Sequence, residues 1–339
     1  MKAVGYQVPG SIDREDSLQD ITLEKPKAAG KDLLVRVAAV SVNPVDTKLR
    51  IKVAPEAGGW KVLGFDAAGT VEELGEEVQG FKVGDEVYYA GSLDRPGTNS
   101  EYQLVDSRIV GYKPSSIGFA EAAALPLTSI TAWEMLFDRL DVKRPTAEGG
   151  NLILVIGGAG GVASIAIQLL RALTDMTVIA TASRPETLAW VRECGAHHVI
   201  DHSQPLAPQV AALGLGAPGF IFSTTQTDQH WPDILESIAP QGRFGLIDDP
   251  KTINIVQIKR KSLSIHFEYM FTRPVLVTQD MAEQAKILNE VAALIDTGKL
   301  RTTLSQVAGK IDAATLRKVH AQIESGTARG KIVLEGFTG

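Results

Sequence analysis

Leu152-Ile-Leu-Val-Ile-Gly157-Gly-Ala-Gly-Gly-Val-Ala163 decides the fold. Five apolar residues, Leu152–Ile156, run into a cluster of glycines. The next segment, Val162 to Leu173, places Ile165, Leu169, Leu170 and Leu173 at helical spacing. A short apolar run bounded by glycine reads as a buried strand, and the 3–4 spacing after it reads as an amphipathic helix. Gly158, Gly160 and Ala163 spell G-x-G-x-x-A across the strand–turn–helix junction. In that context Gly158 permits a tight turn, Gly160 lets backbone approach a pyrophosphate, and Ala163 allows close helix–sheet packing. Gly161 and Val162 open a helix whose free N–H groups and dipole favour phosphate. The alternative is a tight strand-to-helix turn that binds nothing.

Further strands are expected at Thr177–Ala182, His198–Ile200, Gly219–Ser223, Arg243–Ile247 and Ser262–His266. Helical segments lie between most of them, one from Pro185, a favoured first-turn residue, to Gly195. Alternation of strand and helix implies an α/β, doubly wound parallel sheet. Residues 1 to about 126 read differently, as short strands punctuated by Gly and Pro: Leu33–Val40, Gly69–Leu74 and Asp85–Ala90. The tail reads as helices over Asp280–Thr297 and Asp312–Ser325, then a strand over Gly330–Glu335 that could complete the first domain's sheet.

Where a dinucleotide-binding chain selective for NAD places an acid, at the end of the second strand, this sequence has Ala180-Thr-Ala-Ser-Arg184, with no carboxylate before Glu186. Ser183 can hydrogen-bond a 2′-phosphate and Arg184 can pair with it, which favours NADPH. The alternative for Arg184 is an ordinary exposed loop charge.

The 339 residues, 44% hydrophobic and 22% charged, suit a two-domain globular enzyme. A net charge of −6 with scattered basic residues argues against nucleic-acid binding. No apolar segment is long enough to span a membrane, and the N-terminus lacks the apolar stretch of a signal peptide. The single cysteine, Cys194, excludes an intrachain disulfide and a four-cysteine zinc site, and reads as a small apolar residue. A cytoplasmic location is expected.

With these residues in hand, the chain resembles the medium-chain dehydrogenase/reductase superfamily over essentially its whole length. Asn43-Pro-Val-Asp46, Gly64-Phe-Asp-Ala-Ala-Gly69, Gly84-Asp-Glu-Val87 and Leu125-Pro-Leu-Thr-Ser-Ile-Thr-Ala-Trp133 are similar to family segments. His266-Phe-Glu-Tyr-Met-Phe-Thr-Arg273 and Gly330-Lys-Ile-Val-Leu334 resemble a bacterial zinc-type alcohol dehydrogenase-like, quinone-reductase subgroup. The resemblance implies a GroES-like β-rich catalytic domain, 1–126 with 272–339, around a Rossmann domain at 127–271. It also implies a homodimer.

The zinc members of the superfamily carry a Cys and a His-Glu pair at the metal. Asn43, or a neighbour of it, stands here in place of the Cys, and Phe65-Asp66 in place of His-Glu. Phe65 cannot ligate, so no metal is expected. His197, His198 and His202 flank the third strand of the nucleotide domain and read as ordinary polar residues.

Hydride delivery to a carbonyl or enone leaves negative charge on oxygen, which a hydrogen-bond donor must then meet. The resemblance places Asn43 in the substrate cleft as that donor, the alternative being a cap before Pro44. Thr131 matches a position that contacts nicotinamide in relatives, the alternative being a helix-start residue. Tyr89 and Tyr269 are candidate proton donors. Trp60, Phe65, Met270 and Phe271 are candidates for an apolar substrate pocket or for ordinary core. The leading expectation is hydride transfer from NADPH to a quinone, enone or other small carbonyl compound. Enoyl-thioester reduction, and an NADPH-binding sensor or interaction protein, are the alternatives.

Overall fold

A computed structural model of the chain describes residues 1–338. It divides into two compact units, Met1–Ile130 together with the chain from Phe271 onward, and Thr131–Met270. The first division falls inside the helix Pro126–Trp133, four residues beyond the boundary that the sequence suggests.

In the second unit β1 (Leu152–Ile156) leads through helix α1 (Gly161–Leu173) to β2 (Thr177–Thr181). Helix α2 (Pro185–Glu193) leads to β3 (His198–Ile200), α3 (Leu206–Ala212) to β4 (Phe220–Ser223), and α4 (Thr227–Ser237) to β5 (Arg243–Leu246). Strand β6 (Ser264–Phe267) follows. The six strands are parallel and lie in the order β3-β2-β1-β4-β5-β6. This is the doubly wound order whose strand sequence reverses beside β1, leaving a crevice at the carboxyl ends of the strands. All five residues of β1 are buried, as a central strand covered on both faces requires. Ile165, Leu169 and Leu170 of α1 are buried too. Strand β6 begins two residues later than its sequence pattern suggests. Ser262 takes a left-handed φ of 52°, closing a 3-10 turn that Lys261 holds by donating to the carbonyls of Leu235, Glu236 and Ile238.

The first unit holds two sheets. In the smaller, Lys2–Tyr6 pairs with Gln19–Thr22 and Lys61–Val62. The larger has seven strands, with Asp32–Ser41 paired to Asp66–Leu74, Tyr102–Asp106 and Lys331–Phe337. The C-terminal strand therefore completes the sheet begun near the N-terminus, with Val333 opposite Ser41 and Leu334 opposite Val40. Val4, Leu33, Val35, Val87, Leu316 and Leu334 pack in one core. The edge strand Leu304–Ile311, parallel to Lys331–Phe337, has three register shifts and a left-handed Gly309, so no apolar alternation marks it in the sequence.

Candidate functional site

The glycine turn lies at the carboxyl end of β1, at the crevice. Its left-handed residue is Gly157, with φ 81°, one position before the glycine that the motif reading credits with the turn. Gly158 has another role: a Cβ there would lie 2.8 Å from the Thr181 carbonyl oxygen, so its hydrogen permits contact with β2. Gly160 is the N-cap of α1, leaving the first N–H groups of Gly161, Val162 and Ala163 without partners inside the helix. Ala163 is fully buried. A glycine-walled turn ending in free helix N–H groups fits the diphosphate of a dinucleotide.

Ser183 and Arg184 follow β2 at the same edge of the sheet. Both are half-buried. Arg184 caps α2, its N–H donating to Thr187 Oγ1 at 3.1 Å, and its Nε lies 3.0 Å from Glu186 Oε1. Ser183 Oγ lies 3.0 Å from His202 Nε2, and His202 Nδ1 lies 3.0 Å from Thr181 Oγ1. His197 is engaged elsewhere, its Nδ1 accepting from the Val178 N–H at 2.9 Å. Among the described residues, no group of three or more His, Cys, Asp or Glu side chains could hold a metal ion.

In the first unit, the positions that carry metal ligands in the resembled zinc enzymes form a closed polar cluster. Asn43 Nδ2 donates to Asp66 Oδ2 at 2.8 Å, and Leu127 N–H donates to Asp66 Oδ1 at 2.7 Å. Lys331 Nζ donates to Val42 O at 3.0 Å and to Asn43 Oδ1, and stands 3.2 Å from Asp66 Oδ2. Asp46 accepts from the Asn43 N–H at 2.8 Å and from the Gly64 N–H at 2.9 Å. All four side chains are buried. Burial pushes the Asp66 carboxyl up and the Lys331 ammonium down, while their contact draws each back. Burial raises Asp46 to about 7 against its two N–H donors and Lys331. Zinc does not fit this donor set. An amide and one carboxylate are committed to hydrogen bonds, Phe65 supplies no ligand, and an ammonium already neutralises the carboxylate.

This cluster encloses Asn43, the candidate oxyanion donor. Its side chain is 1% exposed, its Nδ2 bonds Asp66, and its Oδ1 takes Lys331. Asn43 stands at the N-cap position of helix Pro44–Lys52, but its side chain makes no capping bond; instead its N–H donates to Asp46 Oδ2 at 2.8 Å. Tyr89, a candidate proton donor, is enclosed as well. Its phenol is fully buried in the first unit's core without a hydrogen-bond partner, and burial pushes its pKa far up. Thr131 is buried in the helix Pro126–Trp133. Tyr269 is 55% exposed, its phenol pushed up by partial burial and Asp249. Phe65 and Phe271 are brought together edge to face, centroids 4.9 Å apart. Trp60 is half-buried and Met270 buried.

Sequence reasoning missed Lys331, Asp46 and His202 as members of these clusters. It also missed a buried acid pair, Glu134 with Glu268, on the nucleotide-binding unit. Arg139 Nε donates to Glu268 Oε2 at 2.9 Å, yet burial and the adjoining Glu134 carboxyl raise Glu268 to about 8. The only signal for that pair was a carboxylate inside each of two otherwise apolar segments.

Residues 29–134 match the alcohol dehydrogenase GroES-like domain, and residues 194–334 match the zinc-binding dehydrogenase domain. A zinc-type alcohol dehydrogenase-like protein of Staphylococcus aureus (strain MSSA476) is 38% identical, covering 98% of this chain and 99% of that protein. A 2-methylene-furan-3-one reductase of Solanum lycopersicum is 36% identical over 60% of this chain and 53% of that protein. The crystal structure of a putative zinc-dependent alcohol dehydrogenase from Rhizobium etli CFN 42 superposes with a TM-score of 0.98 at 61% identity, covering 100% of this chain and 99% of that one.

Proposed function

Because the chain belongs to the zinc-type alcohol dehydrogenase-like family of the medium-chain dehydrogenase/reductase superfamily, we propose that this oxidoreductase uses NADPH, without zinc, to reduce a quinone, enone or other small carbonyl compound. The observation that carries the reading is the end of β2, where Ser183 and Arg184 stand in place of an acid. A carboxylate there would accept from a ribose hydroxyl and repel a phosphate, whereas a hydroxyl and a guanidinium recognise the phosphate.

When bound, the reduced nicotinamide supplies the hydride, which no side chain of this protein can provide. The chain's own residues bind and orient. The N–H groups opening α1 hold the diphosphate, Ser183 and Arg184 hold the 2′-phosphate, and Thr131 is assigned the nicotinamide contact. Phe65 and Phe271, packed edge to face and buried, are assigned to the apolar backing of a pocket for a conjugated carbonyl compound. The name of the Solanum relative, a reductase of a methylene-furanone, supports that substrate class. With Asn43 and Tyr89 enclosed, Tyr269 is assigned the proton that completes the reduction.

The test is cofactor oxidation over a panel of quinones, enones, aldehydes and enoyl thioesters, with NADPH and NADH in parallel. Fastest turnover of a quinone or enone with NADPH is expected. Turnover confined to aldehydes or enoyl thioesters, or faster with NADH, would overturn the reading.

A further inference from the structure

The polar chain at the end of β2 can be followed proton by proton. Strands β2 and β3 are in register with Thr181 opposite Ile200, so Ser183 and His202 each lie two residues beyond that pair, side by side. Thr181 Oγ1 accepts from the Gly157 N–H at 3.0 Å and contacts His202 Nδ1, while His202 Nε2 contacts Ser183 Oγ. The imidazole thus joins the glycine turn of the diphosphate site to the serine assigned to the 2′-phosphate.

A hydroxyl carries one proton, so the state of the ring fixes what Ser183 presents. If Nδ1 carries the proton and Nε2 is bare, Nε2 accepts a hydrogen bond from the Ser183 hydroxyl and the serine shows only lone pairs, which repel a phosphate. If Nε2 carries the proton, it donates to Ser183 Oγ and frees the serine hydroxyl to donate outward. With both nitrogens protonated the serine still donates outward, and a positive charge stands behind it. A phosphate dianion therefore favours the two states with Nε2 protonated, and of these the imidazolium, whose positive charge attracts it; an unphosphorylated ribose carries no charge to make that choice.

We propose that His202 is a proton-linked selector for the 2′-phosphate: NADPH binding draws a proton onto the imidazole, and NADH binding does not. The proposal deepens, and rests on, the assignment of Ser183 and Arg184 to that phosphate. The charged and titratable groups facing the ring are Asp201 beside it, Arg184 at the start of α2, and His230 on α4. Burial and, less strongly, Arg184 lower the imidazole pKa, against the pull of Asp201 and of a hydrogen bond to the Thr181 backbone. A phosphate between Ser183 and Arg184 offsets the guanidinium and shifts the balance toward imidazolium. His202 is thus a positioning residue acting through Ser183, and a pH-dependent one.

The experiment is titration calorimetry of the full chain with NADPH and NADH at pH 7, in buffers of different ionisation enthalpy, for the wild type and His202→Gln. The 2′-phosphate titrates near neutrality itself, so the wild-type-minus-variant difference isolates the histidine. With NADPH the wild type is expected to take up more protons than His202→Gln, and with NADH the two should not differ. His202→Gln should also weaken NADPH binding roughly tenfold, with NADH affinity unchanged. Ser183→Ala should lower the NADPH affinity and the proton uptake together. Equal uptake by wild type and His202→Gln, with NADPH still preferred, would overturn the role of His202 alone. Equal affinities of the wild type for both cofactors would overturn the underlying 2′-phosphate assignment. A parallel melting curve guards against a misfolded variant: loss of affinity for both cofactors with a lowered Tm would assign His202 a structural role and overturn the proposal.

Discussion

Lys331 Nζ stands 3.2 Å from Asp66 Oδ2, and both side chains are buried. An ammonium on the C-terminal strand thus neutralises a carboxylate at the position where the resembled zinc enzymes place a metal ligand. Lys331 also binds Asn43, and Asp66 holds the N–H of Leu127 at the start of the helix that carries Thr131.

Lys331→Met removes the cation and leaves Asp66 buried without a counter-charge, beside Asp46. Breaking a buried pair from one side costs about 3–5 kcal/mol. Chemical denaturation should show a loss of that order at pH 7, and Lys331→Met with Asp66→Asn should recover part of it. A single variant as stable as wild type would show that the pair carries no net interaction.

The two glycines of the turn separate binding from folding. At Gly160 an added Cβ would come no closer than 3.4 Å to the Gly157 carbonyl oxygen, and at Gly158 it would lie 2.8 Å from that of Thr181. Gly160→Val should abolish cofactor binding while changing the cofactor-free Tm little. Gly158→Val should lower that Tm. Retained cofactor affinity in Gly160→Val, measured by fluorescence titration, would remove the turn from the binding site.

Arg184→Ala should narrow the gap between NADPH and NADH. The guanidinium is more than a third exposed, so the loss falls toward the low end of a charge-assisted bond, about 1.5 kcal/mol or tenfold in Kd for NADPH. Unchanged dissociation constants would return Arg184 to the status of a loop charge.

Stability should fall at both ends of the pH range, for opposite reasons. Burial and nearby Arg50 hold His320 at about 3 in the folded chain, against an ordinary value of 6.5. The unfolded chain therefore binds the proton first, and stability is lost as pH falls from about 6.5 toward 3, by on the order of a few kcal/mol. Glu268 is raised from 4.5 to about 8, so its contribution is complete below 4.5 and lost as pH rises through 8. His320→Leu should flatten the fall of a Tm–pH curve below about 6.5, and Glu268→Gln the decline between 4.5 and about 8. Curves parallel to wild type would remove these groups as the cause.

The nucleotide unit was legible because each of its signals is local. Leu152–Ile156 is an unbroken apolar run, and the glycines that follow sit next to it in sequence. The metal-position cluster was half legible. The loss of ligands at Asn43 and Phe65 could be read, but Lys331 comes from 265 residues beyond Asp66, and only the pairing of Lys331–Phe337 with Asp32–Ser41 brings them together. The partners of Asn43 escape the sequence for the same reason: tertiary structure makes them. His202 was passed over because its meaning depends on the register of β2 and β3, which no spacing within either strand reveals.

The most direct measurement is elemental analysis of the purified protein, coupled to NADPH oxidation with a quinone or enone before and after exhaustive chelation. The account predicts no stoichiometric zinc and a rate that chelation leaves unchanged. Stoichiometric zinc whose removal abolishes turnover, and whose return restores it, would contradict the account.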